Sequence, residues 1–172
     1  MNKRLKKLFG ALSLLVLCGG FASAQEADGR AQDLITRGNE KYARTQYEAA
    51  IALYARVPAD AGEAYAQALY NIGVCRFELW QTEEAVRAYR QAIEARGGRY
   101  AKASYALGVA LEELGRMEEA KEAYRRAVAV PGAVYAPAYY KLGMIAARAG
   151  EDERAISHFR EAIKRSKERF PA

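Results

Sequence analysis

The chain has 172 residues, 51% of them hydrophobic, and a formal charge of +6, long enough for one domain with a sizeable core. Lys3, Arg4, Lys6 and Lys7 supply four of those positive charges, so residues 25–172 carry only +2. That near-neutral remainder excludes the basic footprint of a nucleic-acid binder, and two cysteines exclude a disulfide framework.

The first segment is predicted to be addressing information. Its basic start leads into an apolar run from Leu8 to Leu17, then Gly19-Gly20 and Ala22-Ser23-Ala24, the pattern of a secretory signal peptide (1–24) cleaved after Ala24. The apolar run is about half the roughly 20 residues that a helix needs to cross a bilayer, which argues against an uncleaved anchor. Leu15-Val16-Leu17-Cys18 offers a second route, acylation of Cys18 as in a bacterial lipoprotein, but bulky Leu17 stands where such sites hold a small residue. The expectation is therefore an exported, periplasmic protein beginning at Gln25, with an outer-membrane lipoprotein as the less favoured alternative. The remaining 148 residues, 172 less 24, contain no low-complexity linker. They are read as one domain without a membrane span, 31–169, after a short N-terminal segment, 25–30.

From residue 31 onward the chain repeats itself. Gly38, Gly73, Gly108 and Gly143 are 35 residues apart, and so are Ala50, Ala85, Ala120 and Ala155. The same step links Tyr54, Tyr89, Tyr124 and Phe159, and again Val57, Ala92, Ala127 and Ala162. A fixed period between about 20 and 50 residues signals a solenoid, here of four copies at about 31–65, 66–100, 101–135 and 136–169.

Each copy carries two helical stripes, as Leu107, Leu111 and Leu114 followed by Ala120, Tyr124, Ala127 and Val128 do in the third. Turn signals separate them: Thr45-Gln46, then Trp80-Gln81-Thr82 with Thr82 as the predicted N-cap, then Gly115 and Gly150. Glu118-Glu119 and Asp152-Glu153 place acids in the following first turns, and the cations from Lys164 to Arg169 suit a helix C-terminus. A glycine inside a helix costs up to about 1 kcal/mol. Its return at one step in four copies predicts a close helix crossing, with the aromatic of one helix set against the backbone of the other. Cys75, left alone once the leader is removed, lies among Ile72, Val74, Phe77 and Leu79, which favours a small buried hydrophobe over a reactive thiol.

Leu107-Gly108, then Gly115, Ala120, Tyr124 and Ala127, resembles the tetratricopeptide repeat, and Ile72-Gly73 and Leu142-Gly143 fit likewise. The first copy departs, with Arg37 in place of the family's leucine, and the period exceeds the usual 34 by one, assigned to a longer connection between copies. The resemblance spans about residues 31–165 and implies an all-α, right-handed solenoid of four helix-turn-helix repeats whose first helices line a concave groove for another protein or peptide. The groove positions it implies are Ile35, Asn39 and Tyr42 in copy one, and Tyr70, Asn71, Val74 and Phe77 in copy two. Copy three supplies Lys102, Tyr105, Val109 and Glu112, and copy four Tyr140, Lys141 and Met144.

Tyr70, Tyr105 and Tyr140 recur at the 35-residue step, so their rings either form a ladder along that groove or pack between successive first helices. Some members of the family clamp the acidic tails of cytosolic chaperones with basic and Asn residues. Asn39, Asn71 and Lys102 match that clamp, whereas Ile35 and Ala106 replace two of its cations, and an exported protein would not meet those chaperones. Another carboxylate-bearing peptide would use Lys102 and Lys141.

No catalytic constellation accompanies the repeats. The chain has one histidine, His158, expected on an outer edge, and no metal-ligand cluster or phosphate-cradling loop. Glu83-Glu84 and Glu118-Glu119 recur in register, and these pairs together with Glu112-Glu113 read as solvated faces. A non-enzymatic scaffold without metal or cofactor is expected, with self-association possible through an uncapped fourth repeat.

Overall fold

The computed structural model describes residues 29–132 and 135–169, which form helices joined by turns with no strand among them. The predicted leader and the Cys18 site lie outside the described residues. The helices are α1 (29–43), α2 (Tyr47–Tyr54), α3 (Glu63–Glu78), α4 (Thr82–Ala95), α5 (Ala101–Glu113), α6 (Met117–Ala129), α7 (Ala136–Arg148) and α8 (Asp152–Arg169). They pair as α3 with α4, α5 with α6 and α7 with α8, and each pair packs on the next through its first helix.

All four within-copy turns are three residues long, 44–46, 79–81, 114–116 and 149–151, and all have one geometry. Their central residues Thr45, Trp80, Gly115 and Gly150 are left-handed, with φ of 57°, 60°, 72° and 72°. The next amide reaches back to the helix just ended, as in Gln81 N–H to Arg76 O at 2.9 Å and Arg116 N–H to Leu111 O at 2.8 Å, closing a Schellman motif. Gln81 then opens α4, its carbonyl accepting from Ala85 N–H at 3.0 Å. The predicted cap at Thr82 is corrected accordingly. Gln81 is the N-cap, without a side-chain cap bond, and Thr82 is the first helical residue.

The glycine and aromatic series meet as pairs. A Cβ on Gly73 would come 2.5 Å from the Tyr89 ring and one on Gly143 2.6 Å from Phe159; Gly38 with Tyr54 and Gly108 with Tyr124 repeat the arrangement. Tyr54, Tyr89 and Tyr124 are thereby buried at 2%, 3% and 0% exposure, each ring worth about 1.5–3 kcal/mol in apolar burial. Ala50, Ala85, Ala120 and Ala155 are buried beside them. One cluster joins Leu69, Val86, Tyr89, Leu107, Leu111, Tyr124 and Leu142 across copies two to four. A second joins Ile35, Tyr54, Val57, Ala68 and Cys75 at the first.

The two kinds of helix lie on opposite sides of a bend. α3 touches α5 directly, whereas α4 and α6 are bridged by the Arg90–Glu119 ion pair at 2.9 Å across an outer cleft of about 510 Å³ floored by Ile93, Leu107 and Leu111. The first helices therefore line the inner side.

Candidate functional site

Two cavities open on the inner side. The first, about 280 Å³, is lined by Asn39 and Tyr42 of α1, Tyr54 of α2, Tyr70, Asn71 and Val74 of α3, and Lys102 of α5. The second, about 180 Å³, is lined by Tyr70, Phe77, Tyr89, Tyr105, Ala106, Val109 and Tyr135. Tyr70 is the wall they share.

The first cavity combines tyrosine rings with two amides and one cation. Asn39 Oδ1 accepts from Tyr54 Oη at 2.7 Å and from Asn71 Nδ2 at 3.2 Å, so one amide ties α1, α2 and α3 together. Burial pushes the Tyr54 hydroxyl up to about 12, keeping it a donor at neutral pH. Lys102 supplies the charge, its Nζ 4.6 Å from the centroid of Tyr70 in cation–π geometry.

Nine of the fourteen predicted groove residues, Asn39, Tyr42, Tyr70, Asn71, Val74, Phe77, Lys102, Tyr105 and Val109, line these two adjoining cavities. Tyr140 and Lys141 line neither. Tyr140 is 53% exposed on α7, and Lys141 is paired with Glu112 across copies three and four, Nζ to Oε2 at 2.6 Å. The same carboxylate accepts from Tyr124 Oη at 2.7 Å. Two expectations are corrected by that bracket: Lys141 is neutralised, and Glu112 is a mostly buried acceptor instead of part of a solvated acidic face. Ile35, expected in the groove, is fully buried in one cluster with Ala31, Tyr54 and Cys75, because its short aliphatic side chain gains more from apolar burial than from facing solvent.

The recurring tyrosines are held by ring contacts inside their own copies. Tyr70 stacks on Tyr89 and Tyr100, both at 5.8 Å between centroids, and Tyr105 on Tyr124 at 5.7 Å and Tyr135 at 5.2 Å. Each of these contacts stays within one copy, and Tyr70 and Tyr105 also line the inner cavities. Tyr140 packs on Phe159 at 5.7 Å.

Away from the groove, Cys75 is fully buried and burial pushes its thiol up to about 11. His158 sits 6.4 Å from the Tyr139 ring, beside Arg125 and Arg154, and is held below its ordinary value by partial burial and those two guanidinium groups. No group of three or more His, Cys, Asp or Glu is placed to hold a metal ion among the described residues, and no helix there is long and apolar enough to cross a membrane.

Comparison with known proteins agrees with this geometry. Residues 81–134 and 136–169 match sequence families described as tetratricopeptide repeats. Among solved structures, MamA superposes with a TM-score of 0.68 at 22% identity, covering 87% of this chain and 86% of that one. MamA residues 41 to the end from Desulfovibrio magneticus RS-1 give 0.62 at 21%, covering 95% and 96%. The second repeat domain of Spaghetti (RPAP3), solved with the HSP90 peptide SRMEEVD, gives 0.55 at 30%, covering 63% of this chain and 98% of that one. A search of curated proteins returns no matching sequence.

Proposed function

Because the chain belongs to the tetratricopeptide-repeat family, we propose that it is a non-catalytic scaffold of the bacterial cell envelope, holding a peptide segment or helix of a partner protein in its concave groove. The observation that carries the reading is the convergence of Asn39, Tyr42, Tyr70, Asn71 and Lys102 on one cavity. Amide donors and acceptors beside a cation suit a peptide backbone with a carboxylate near Lys102, the groove cation left once Glu112 has neutralised Lys141. The RPAP3 domain was solved with a peptide that carries three carboxylate side chains, which supports a ligand of that kind.

Affinity capture from envelope fractions tests this with the protein and its Lys102→Glu variant. A captured protein that disappears with the variant, at unchanged helicity, is the expected result; identical captured sets sink the groove reading. Export rests on Lys3 to Ala24 and is checked by N-terminal sequencing of the fractionated protein. Gln25 is the expected start, and a blocked, lipid-bearing Cys18 would move the protein to the membrane surface.

A second reading, self-association, has its own support. Ile156 and Ile163 on α8 are 49% and 59% exposed, whereas Val86 and Ile93, two copies earlier in register, are covered by the following repeat. Light scattering after size exclusion distinguishes the cases: an oligomer that Ile156→Lys/Ile163→Lys converts to monomer supports association through α8, and a wild-type monomer at high concentration excludes it.

A further inference from the structure

On the outer side, independently of the groove, we propose that the cleft between α6 and α8 is a binding site for a phosphate group, held between Arg125 and Arg154 with Lys121 beside them. The cleft has a volume of about 330 Å³. Lys121 and Arg125 form its α6 wall, Glu151, Arg154 and His158 its α8 wall, and Ala146 of α7 part of its floor.

The repeat supplies its own control. One copy earlier the corresponding cleft is closed by the Arg90–Glu119 pair at 2.9 Å, and Arg116 holds the same carboxylate at 2.7 Å. A step of 35 residues turns Arg90, Glu119 and Arg116 into Arg125, Arg154 and Glu151. The α6 arginine keeps its place, but the carboxylate that it would meet has become a second guanidinium. Glu151 is committed to Arg154, 2.9 Å away. On its own helix Arg125 reaches Glu122 at 3.9 Å, and that carboxylate is shared with Arg126 at 3.6 Å.

Three further replacements charge the cleft and open it. Lys121 stands where the second copy has Val86, which is 1% exposed, and so adds a third cation. Ala146 replaces Leu111 at the floor, and His158 replaces Ala123 on the wall. Three cations thus line the cleft with one carboxylate, which leaves two positive charges in excess. A carboxylate ligand would answer one of them. A phosphate group, with a charge of about −1.5 to −2 at neutral pH, answers both, and the guanidinium forks match its oxygens in pairs.

His158 reports on occupancy. It faces Lys121 and Arg125 from α6, the Tyr139 ring from α7, and Glu151 and Arg154 from its own end of α8. Partial burial and the two guanidinium groups hold its imidazole below the ordinary value, so an anion between those groups would move it upward.

The chain has one histidine, which gives the protein, prepared without a histidine tag, a single imidazole resonance. Inorganic phosphate is titrated into it, with sodium chloride at equal ionic strength as the reference. A saturable shift, and a His158 pKa raised by about one unit at saturation, are expected. Arg154→Glu rebuilds the ion pair of the preceding cleft and should weaken binding about ten- to hundredfold without lowering the melting temperature. Lys121→Val, the residue of the second copy, should weaken it too and decides the matter if Arg154→Glu is unstable. Arg87→Glu makes the same change of charge at an exposed site on α4 and should bind like the wild type. Co-sedimentation with phosphatidylcholine vesicles, with and without phosphatidic acid, distinguishes the sources. Binding to phosphatidic acid that Arg154→Glu loses and Arg87→Glu keeps, with no response to inorganic phosphate, assigns the group to a lipid headgroup. Shifts no larger than those in chloride together with no vesicle binding would overturn the site, as would a response that Arg154→Glu and Lys121→Val keep or that Arg87→Glu loses equally.

Discussion

At Gly73 two terms oppose one another. A methyl group there gains about 1 kcal/mol in helix propensity, but it would stand 2.5 Å from the Tyr89 ring, which is buried at 3% exposure. Overpacking of that kind costs about 1–3 kcal/mol, so Gly73→Ala is expected to lower the melting temperature by several degrees, checked by thermal circular dichroism. Trp80 presents the reverse case. It is 84% exposed and holds a left-handed φ of 60° where later copies use glycine, so Trp80→Gly loses little packing and relieves about 1 kcal/mol of strain. A higher melting temperature is the expected outcome. Cys75, with its thiol near 11 instead of the ordinary 9.0, should resist thiol-disulfide reagents at pH 8 until denaturant opens the fold. The unfolded thiol ionises first, so its contribution to stability is whole below pH 9 and declines as pH rises toward 11.

Among the helices α2 is the outlier, with 8 residues against 13 or more in α4, α6 and α8. Pro58 is the reason: it lacks the amide that would reach Tyr54 and disfavours helical backbone at Val57. Val57 nevertheless stays buried at 3%, so the register survives the end of the helix. α3 compensates by starting at Glu63, three residues before Ala66, the counterpart of Ala101 and Ala136. With a short helix and one neighbour instead of two, the first copy should open first. Amide exchange is expected to be fastest in α1 and α2 and slowest in α4 to α6; protection highest at α2 would contradict this.

Over the whole molecule the inner side runs from a neutral Asn39–Asn71 bracket at copies one and two, through a tyrosine-rich middle, to an ionic Glu112–Lys141 bracket at copies three and four. Lys141→Met would strand the mostly buried Glu112 and is expected to cost about 1–3 kcal/mol in denaturant unfolding. Breaking the exposed Arg87–Glu84 pair should cost less than about 1 kcal/mol. Much of this architecture was legible in residue types alone, because a missing Cβ and a ring at one stride specify both partners of each crossing. The inner-face positions of Asn39, Asn71 and Lys102 followed from the family resemblance and not from the stride, which puts Val74, Ala106 and Gln67 at the equivalent places. The Glu112–Lys141 bracket did not, since it joins residues 29 apart and depends on which inner-face positions of adjacent copies confront each other. Ile35 was misplaced for a related reason: stride equates it with Tyr70, but only the long ring reaches out of the core.

The three-residue turns have one more implication. Gln46, Gln81, Arg116 and Glu151 each finish one helix and begin the next, so those turns have no slack. An added residue there would rotate the following helix by about 100° and swing its aromatic off the opposing glycine. The connections between copies already vary, with 55–62, 96–100 and 130–135 all in use. Insertions and grafted sequences should thus survive at the seams between hairpins and unfold the protein at their tips.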